Sequence, residues 1–322
     1  MSSTPPLRVG SRTSDLARHQ AGLVLEGLTH LDAEAEFVGI RSAGDDAPEV
    51  PIEQIGGTGV FTRELERALL EGEIDIAVHS LKDLATQMPG GLRVGAVLPR
   101  EDPRDAVVLS PELRRAGADG GDDAILGVLP RGAMVGTGSL RRRAFLLRLR
   151  PDLKIESIRG NVPTRLEKLR SGSYDAIMLA VAGLRRLGMG EEIDALLPPA
   201  EFPPAPGQGA IAVQIRADDP RAAGLVAPLD DAPTRIAVTA ERAFLRRIEG
   251  GCQVPAGALA VLDHDSVVLT TLVCSPDGRD AVAASATGAA HDAAAVGFGA
   301  AERALEDGAE KILAPLRAEQ DG

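Results

Sequence analysis

Charged side chains follow a buried-strand pattern in the first third of the chain. The run Ser80-Leu81-Lys82-Asp83 comes directly after residues 75–78, and Lys82 is one of only four lysines. Loops at the carboxyl ends of strands line the ligand crevice of open α/β sheets. A carboxylate beside a cation stays ionised there and can steer a proton or stabilise a developing cation, which makes Asp83 a candidate catalytic group. On this pattern alone, an ordinary surface ion pair is the alternative, and His79 is typical of a structural hydrogen-bond donor.

Two strand-to-helix corners carry the residue types that bind small anions. Gly136-Thr137-Gly138-Ser139 ends one strand, and a helix opens with Leu140-Arg141-Arg142. Arg159-Gly160-Asn161 repeats the arrangement, with Arg165 one turn into the next helix. Free N–H groups at a helix N-terminus attract anions, and cations there oppose the helix dipole unless an anion lies between them. Neither corner ends in the Gly-Lys-Ser/Thr of a P-loop, so a nucleoside triphosphate site is not expected.

A thiol lies on a glycine turn late in the chain, in Gly250-Gly251-Cys252-Gln253-Val254-Pro255. Glycines allow a large group to approach the sulfur closely. No Cys-x-x-Cys or His/Cys spacing accompanies the thiol, so a metal is not expected. On the pattern alone, a buried and unreactive cysteine is the leading interpretation of Cys252, and Cys274 fits it better still.

The elements that must position these residues alternate between strand and helix as far as about residue 215. The predicted strands lie at residues 7–9, 37–40, 74–78, 134–135, 155–158, 176–179 and 210–215. Such alternation predicts a mostly parallel sheet. Ser14 is the expected N-cap of a helix that starts at Asp15. The last ninety or so residues predict a helix over 234–248, antiparallel strands over 267–273 and 281–286, and an alanine-rich helix over 292–313.

Two proline-rich passages, residues 98–104 and 198–206, bracket the middle of the chain. They favour a domain inserted between two crossings, after which the chain returns to the first domain. We therefore predict three domains. Their boundaries are 1–103 with 205–225 for the first, 104–204 for the arginine-rich second, and 226–322 for the third, which carries Cys252.

Composition narrows the class of partner. The 322 residues are 44% hydrophobic and only 2% aromatic, which argues against reading bases or sugars by stacking. The net charge is −12, yet residues 131–170 carry eleven Lys/Arg against three Asp/Glu, a local +8 that leaves about −20 for the rest. Of the 35 basic residues 31 are arginines, whose planar fork suits carboxylates and phosphates. A small anion in a cleft is favoured over nucleic acid, and a solvated arginine-rich helix face is the alternative.

The N-terminus lacks the basic start and apolar stretch of a signal peptide, and no window has the apolar length of a membrane span. Two cysteines are too few for a disulfide-built fold. These features predict a cytoplasmic protein with reduced thiols.

Taken together, the motifs closely resemble those of the porphobilinogen deaminase (hydroxymethylbilane synthase) family, over nearly the whole chain. The matching runs are Ser11-Arg12-Thr13-Ser14, Gly56-Gly57-Thr58-Gly59-Val60-Phe61, Ala77-Val78-His79-Ser80-Leu81-Lys82-Asp83, Glu101-Asp102-Pro103-Arg104-Asp105, Ser139-Leu140-Arg141-Arg142, Ile158-Arg159-Gly160-Asn161-Val162, Pro206-Gly207-Gln208-Gly209 and Glu249-Gly250-Gly251-Cys252-Gln253-Val254-Pro255. Several motifs in the family's order are far more specific than any one of them.

The resemblance implies a fold and an activity. The fold has two periplasmic-binding-protein-like α/β lobes with mainly parallel sheets and a smaller third α+β domain. The activity is that of a monomeric transferase that condenses four porphobilinogen molecules head to tail into hydroxymethylbilane in tetrapyrrole (haem) biosynthesis, releasing four ammonia. The growing chain would be built on a dipyrromethane cofactor, one per chain, joined to Cys252 by a thioether. No metal, nucleic acid or membrane partner is implied.

The resemblance also assigns roles to residues. Asp83 corresponds to the catalytic aspartate. The implied cofactor-binding residues are Cys252, Ser14, Lys82, Asp83, Thr137, Ser139, Arg141 and Arg142; the implied substrate-binding residues are Arg12, Phe61, Arg159, Arg165 and Arg186. This chemistry explains the arginines, because every pyrrole ring brings an acetate and a propionate that need fixed cations.

Some positions depart from the family pattern. Gln54 and Thr58 stand where some relatives carry lysines, Gly138 replaces a frequent serine, and Pro163 stands where glycine is usual. Two competing hypotheses are a non-catalytic protein that clamps a polycarboxylate, and a nucleic-acid-binding protein that uses residues 131–170. The first needs neither Asp83 nor an accessible thiol, and the second predicts a strongly salt-dependent affinity.

Overall fold

A computed structural model describes residues 5–41, 62–116, 125–249 and 254–318. The chain forms two compact units. The first unit comprises Met1–Glu101 and Gly209–Arg235, and the second comprises Asp102–Gln208 and Ile236–Gly322. Within the described ranges, no helix is both long enough and apolar enough to span a bilayer.

The strands of the described ranges are β1 (Leu7–Arg12), β2 (Ala35–Ile40), β3 (Ile76–Ser80), β4 (Leu92–Val97), β5 (Asp105–Leu109), β6 (Met134–Gly136), β7 (Lys154–Glu156), β8 (Ala176–Ala180), β9 (Ala195–Leu196), β10 (Ile211–Arg216), β11 (Ala256–Asp263), β12 (Ser266–Cys274) and β13 (Ala281–Ala289). The α-helices are α1 (Asp15–His30), α2 (Arg63–Leu70), α3 (Pro111–Arg115), α4 (Ile125–Val128), α5 (Leu140–Leu149), α6 (Val162–Arg170), α7 (Val181–Arg186), α8 (Pro220–Val226), α9 (Ala232–Glu249), α10 (Ala293–Ala304) and α11 (Glu310–Ala318).

The first unit is built on a five-stranded sheet in the order β2-β1-β3-β10-β4. Strand β10 is antiparallel to both of its neighbours while β1 is parallel to β2 and β3, so four of the five strands run in one direction. Its core packs apolar residues of α1 and α8 against the strands, including Val9, Val24, Leu28, Val213 and Val226. Because β1 and β3 are parallel neighbours, their carboxyl ends lie at the same edge.

The second unit contains two sheets. One is five-stranded in the order β7-β6-β8-β5-β9, which repeats the arrangement of the first unit, and β5 is the one reversed strand. The other is the antiparallel sheet β11-β12-β13. Helices α9, α10 and α11 pack on this third sheet through buried apolar residues such as Ala240, Phe244, Ala300 and Leu313.

Polar N-caps fix where the helices begin. Ser14 accepts a hydrogen bond from the Ala17 N–H at the start of α1, as the sequence predicted. Ser139 and Asn161 act in the same way at α5 and α6. These side chains satisfy N–H groups that have no partner within the helix, and so set the first turns of the two arginine-bearing helices.

The predicted fold class is confirmed: two α/β parts with mainly parallel sheets and a smaller α+β part. The prediction missed β4, β5, β9 and β11, whose short or small-residue runs lack a clear alternation. The alanine-rich stretch is not one continuous helix, because Gly308 takes a φ of 113° between α10 and α11. The three domain boundaries stay a prediction.

Candidate functional site

In the first unit, two candidate segments lie at one edge of the sheet. Strand β1 ends at Arg12 and leads into the Ser14 cap, while β3 ends at Ser80 and leads into Lys82 and Asp83. The two strands pair in parallel at Val9↔Ile76 and Gly10↔Ala77. This pairing brings the predicted residues of both segments to the same carboxyl edge.

Hydrogen bonds to buried parts of the first unit fix the turn after β3, and the charged side chains of the turn are exposed. Leu81 is buried at 1% exposure, and its N–H donates to the Ala210 carbonyl at 3.0 Å. The Gln20 side-chain amide donates to the Ser80 hydroxyl at 2.9 Å. Lys82 and Asp83 are exposed on a 3₁₀ turn over Leu81–Asp83. The Asp83 side chain is exposed, and no side chain of the described residues forms a hydrogen bond or ion pair with its carboxylate.

A buried polar chain lies behind this turn. The His79 ring nitrogen Nε2 lies 3.0 Å from the Gln214 amide oxygen, and the Gln214 amide nitrogen donates to Glu66 Oε1 at 3.2 Å. Burial lowers the pKa of His79 to about 4, although the hydrogen bond with Gln214 opposes the shift. His79 is thus a neutral structural donor, as predicted. Gln214 and Glu66 were missed, since no local pattern links residues so far apart in the chain.

In the second unit, the two predicted anion corners are neighbours. Strands β6 and β7 pair in parallel, and the Thr137 N–H donates to the Glu156 carbonyl at 2.9 Å. The Thr137 hydroxyl accepts from the Ser139 N–H at 3.2 Å. A Cβ on Gly138 would lie 3.2 Å from the Ile158 carbonyl, so the glycine allows the close approach of the two corners.

Side chains of the second unit fix the backbone of the corner that carries Arg159. The Tyr174 hydroxyl donates to the Ser157 carbonyl at 3.0 Å. Lys168 Nζ donates to the Arg159 carbonyl at 3.3 Å, and Arg165 Nε donates to the Gly160 carbonyl at 2.8 Å. Arg159 itself is half-buried on this braced loop.

The arginines at the start of α5 are buried around an internal anion. Asp105 is fully buried, and its carboxylate lies 2.8 Å from Arg141 Nη1 and 2.7 Å from Arg142 Nη2. The sequence predicted an anion at these arginines, and in this structure the Asp105 carboxylate occupies that place. Burial alone would raise the pKa of Asp105, but the two guanidiniums outweigh it and hold the pKa well below the usual range.

Asp105 and its neighbour Asp102 organise more of the second unit than the sequence revealed. The Gln208 amide donates to Asp105 Oδ1 at 3.0 Å and to the Pro103 carbonyl at 2.7 Å. Asp102 pairs with Arg104 at 2.7 Å and Arg185 at 3.5 Å. The sequence signal for this arrangement is the run from Glu101 to Asp105, a family motif that does not by itself reveal the partners of the two aspartates.

The remaining predicted residues are placed as follows. Arg186 is half-buried as the last residue of α7. Cys252 and Phe61 lie outside the described residues, as do Gln54 and Thr58. Cys274 is buried, as predicted, and burial raises the pKa of its thiol to about 11. The described ranges contain no cluster of three or more His, Cys, Asp or Glu side chains that could hold a metal ion.

The residues present fit a ligand with several carboxylates. Two guanidiniums share the single Asp105 carboxylate, which leaves one buried positive charge in excess. Arg141 Nε and Asp105 Oδ2 are both buried without a hydrogen-bond partner. An unpaired buried N–H is costly, and a ligand carboxylate would satisfy it.

Two family models match the chain. The dipyrromethane cofactor binding domain of porphobilinogen deaminase matches residues 7–224, and the C-terminal domain of porphobilinogen deaminase matches residues 235–306. Two curated proteins are similar over nearly their full lengths. The porphobilinogen deaminase of Brevibacillus brevis is 44% identical over 98% of both chains. That of Pelotomaculum thermopropionicum is 46% identical over 98% of both chains.

Solved structures align at much lower similarity. The VFT2 domain of Bordetella pertussis BvgS, as a double mutant, is 14% identical with a TM-score of 0.42, covering 71% of this chain and 88% of that one. A nutrient binding protein from Burkholderia cenocepacia bound to methionine is 13% identical with a TM-score of 0.42, covering 68% of this chain and 90% of that one.

Proposed function

The chain belongs to the porphobilinogen deaminase family, and from this premise we propose how its own residues carry out the family's reaction. It is a transferase of tetrapyrrole biosynthesis that condenses four porphobilinogen molecules into hydroxymethylbilane and releases four ammonia. The observation that carries the assignment is the match of both family models, which together cover most of the chain.

The family's cofactor is a dipyrromethane, which supplies the pyrrole carbon to which the first substrate unit is joined. Cys252 is the proposed attachment point, through a thioether. The residues proposed to hold the cofactor's acetate and propionate groups, and to position its rings, are Ser14, Lys82, Asp83, Thr137, Ser139, Arg141 and Arg142. The excess positive charge around Asp105 and the unpartnered Arg141 Nε support this proposal.

Asp83 is the proposed catalytic residue. Its carboxylate is exposed at the end of β3 and has no side-chain partner among the described residues, so both oxygens can accept pyrrole N–H groups. A carboxylate in that position stabilises the positive charge that develops as the aminomethyl group leaves as ammonia, and it can hold a proton at Oδ1 or Oδ2. Lys82, also exposed on the same turn, adds a cation for a ligand carboxylate.

The substrate's two carboxylates are the proposed ligands of the remaining cations. The residues proposed to bind them, with Phe61 as an apolar contact, are Arg12, Arg159, Arg165 and Arg186. The hydrogen-bonded backbone of the Arg159 corner supports this role, because a loop that is already ordered loses less conformational entropy when a ligand binds.

The three domain boundaries of the sequence analysis are also part of the proposal, as is a monomer that acts in the cytoplasm without nucleic acid. The charge of about −20 outside residues 131–170 supports the last point, since it repels phosphates. Light scattering tests the monomer, and cell fractionation tests the cytoplasmic location. A salt series of nucleic-acid binding tests the absence of a nucleic-acid partner.

The intact mass of the purified chain, before and after porphobilinogen is added, tests the proposed function. We expect a covalent increment of two condensed pyrrole units, mapped to Cys252, followed by a ladder of single-pyrrole additions. A chain that stays unmodified with porphobilinogen, and also with preformed hydroxymethylbilane, would contradict the proposal.

A further inference from the structure

The buried cluster formed by Arg141, Asp105 and Arg142 does not treat its two arginines alike. The cluster carries two cations and one anion, and its side chains are exposed by only 5%, 0% and 7%. A charge buried to this degree persists only when it is paired and hydrogen-bonded. The hydrogen-bond partners of each guanidinium nitrogen therefore decide which arginine still has donors for a ligand.

The guanidinium N–H groups of Arg142 donate to acceptors inside the protein. Its Nε and Nη2 donate to Asp105 Oδ1 at 2.9 and 2.7 Å, and its Nη1 donates to the Met178 carbonyl at 3.0 Å. Every nitrogen of the guanidinium thus has a protein acceptor. The N-cap bond from the Arg142 N–H to Ser139 Oγ, at 3.4 Å, fixes the backbone as well.

Arg141 keeps one edge of its guanidinium unused. Its Nη1 donates to the Pro203 carbonyl at 2.9 Å and lies 2.8 Å from Asp105 Oδ2, in an ion pair in which that oxygen accepts no hydrogen bond. Its Nε is buried without a hydrogen-bond partner, and no acceptor among the described residues bonds to Nη2. The rings of Phe145 and Phe202 lie 5.7 and 5.6 Å from the guanidinium carbon and pack around the group.

The unused edge has a defined chemistry. Nε and Nη2 lie on one side of the planar fork, and a carboxylate can accept from both at once. The orientation of that edge depends on Nη1, which is fixed by its hydrogen bond to the Pro203 carbonyl and by the charge of Asp105 Oδ2, 2.8 Å away. Asp105 is itself fixed, since Gln208 bridges Asp105 Oδ1 to the Pro103 carbonyl.

We infer that Asp105 is a positioning residue: it retains Arg142 as an internal counter-charge and turns Arg141 so that its Nε–Nη2 edge receives a carboxylate of the bound dipyrromethane. The inference rests on the proposed function, in which that cofactor binds at Arg141. It narrows that function, because of the two arginines proposed to hold the cofactor only Arg141 would meet a cofactor carboxylate, while Arg142 would contribute through its pair with Asp105.

The test compares Asp105→Asn with a matched buried aspartate. Asp75 also pairs with two arginines, Arg8 at 2.9 Å and Arg216 at 3.2 Å, but it precedes β3 and so lies at the opposite end of that strand from Asp83. Asp75→Asn makes the same chemical change. Arg141→Lys and the double variant Asp105→Asn/Arg141→Lys complete the set.

The full chain is produced in cells that make no porphobilinogen, and the rate of covalent cofactor loading is then followed by intact mass after hydroxymethylbilane is added. The thermal unfolding midpoint of each variant is measured in parallel. We expect Asp105→Asn and Arg141→Lys each to load about tenfold more slowly, and the double variant to load no more slowly than either, because Asp105 acts through Arg141. Asp75→Asn should load within about twofold of the unaltered chain even where its midpoint falls equally.

Two results would overturn the inference. One is Asp105→Asn loading as fast as Asp75→Asn, and the other is a double variant whose losses multiply to about a hundredfold, as independent sites do. If Asp105→Asn does not fold, Asp105→Asn/Arg142→Met removes one charge of each sign, and it should fold yet still load about tenfold more slowly. An unaltered chain that never loads would contradict the proposed function instead.

Discussion

The His79 imidazole and the Gln214 side-chain amide lie 3.0 Å apart in the core of the first unit, directly behind the turn that presents Asp83. His79 is 5% exposed, and burial lowers its pKa from the ordinary 6.5 to about 4. Between these two values the unfolded chain binds more protons than the folded chain. The stability that a neutral His79 provides is therefore complete above pH 6.5 and is lost as the pH falls toward 4.

This pH dependence is the first prediction. The free energy of unfolding should fall by roughly 2–3 kcal/mol between pH 7 and pH 4 on account of His79 alone. His79→Gln keeps a hydrogen-bonding side chain but removes the titration, so it should flatten the profile in this window. Urea unfolding at several pH values measures the effect. His30→Gln, at an exposed helix end, is the control and should leave the profile unchanged. A profile that His79→Gln does not alter would contradict the prediction.

The second prediction concerns Asp83. Asp83→Asn keeps the size of the side chain and removes its charge, and because the group is exposed, folding should be unaffected. The variant should still carry the cofactor, whereas turnover of porphobilinogen should fall by about a hundredfold or more, the usual loss for a positioned proton-transfer group. Intact mass and substrate consumption measure the two effects. Glu26→Gln, an exposed acid on α1, should retain full turnover. Near-normal turnover by Asp83→Asn would contradict the catalytic role proposed for Asp83.

The third prediction separates the two cysteines. Cys252→Ala should give a chain that never carries the dipyrromethane, whereas Cys274→Ala should load normally. Cys274 packs in the core of the second unit, and burial raises its pKa to about 11, so it is mostly protonated and poorly nucleophilic. Its truncation should cost about 1 kcal/mol of stability through lost packing. Mass increments mapped by peptide digestion decide the point, and a modified Cys274 would contradict the assignment.

Much of this architecture follows from local sequence signals. Ser14 before an apolar helical pattern predicted the start of α1, and the alternation of strands and helices predicted the mainly parallel sheets. Motifs also predicted that Asp83 and the two anion corners follow strands, and the structure places them after β3, β6 and β7, since position after a strand is a local property. Their roles stay predictions.

The partners of these residues could not be predicted, because they come from distant parts of the chain. Arg142 meets Asp105 across 37 residues, and Gln208 meets the same carboxylate across 103. The helix dipole predicted an anion beside Arg141 and Arg142, but a ligand and an internal carboxylate both meet that requirement. Only the structure shows that Asp105 forms ion pairs with both guanidiniums while Arg141 Nε has no hydrogen-bond partner.

The fourth prediction uses a natural probe of the substrate-binding corner. The chain has one tyrosine and no tryptophan, so its near-ultraviolet signal comes mainly from Tyr174. The Tyr174 hydroxyl donates to the Ser157 carbonyl at 3.0 Å, two residues before Arg159. Burial, with a smaller effect of the Glu156 charge, raises the pKa of Tyr174 above its ordinary value of 10. A titration of the phenolate absorbance should therefore show one step above pH 10, and Glu156→Gln should move it part of the way down.

Removal of this hydroxyl should loosen the corner without touching the chemistry. Tyr174→Phe leaves the ring in place and frees the Ser157 carbonyl, so the corner loses one of its three side-chain hydrogen bonds and Arg159 is held less firmly. We expect the KM for porphobilinogen to rise by about threefold to tenfold while kcat stays within about twofold, since a binding contact is weakened in ground and transition state alike. Steady-state kinetics at saturating and limiting substrate measure the split. Ser173→Ala, an exposed hydroxyl that contacts Ser171 and not the corner, is the matched control and should change neither constant. A fall in kcat with an unchanged KM would show that Tyr174 acts on the reacting groups rather than on the placement of Arg159.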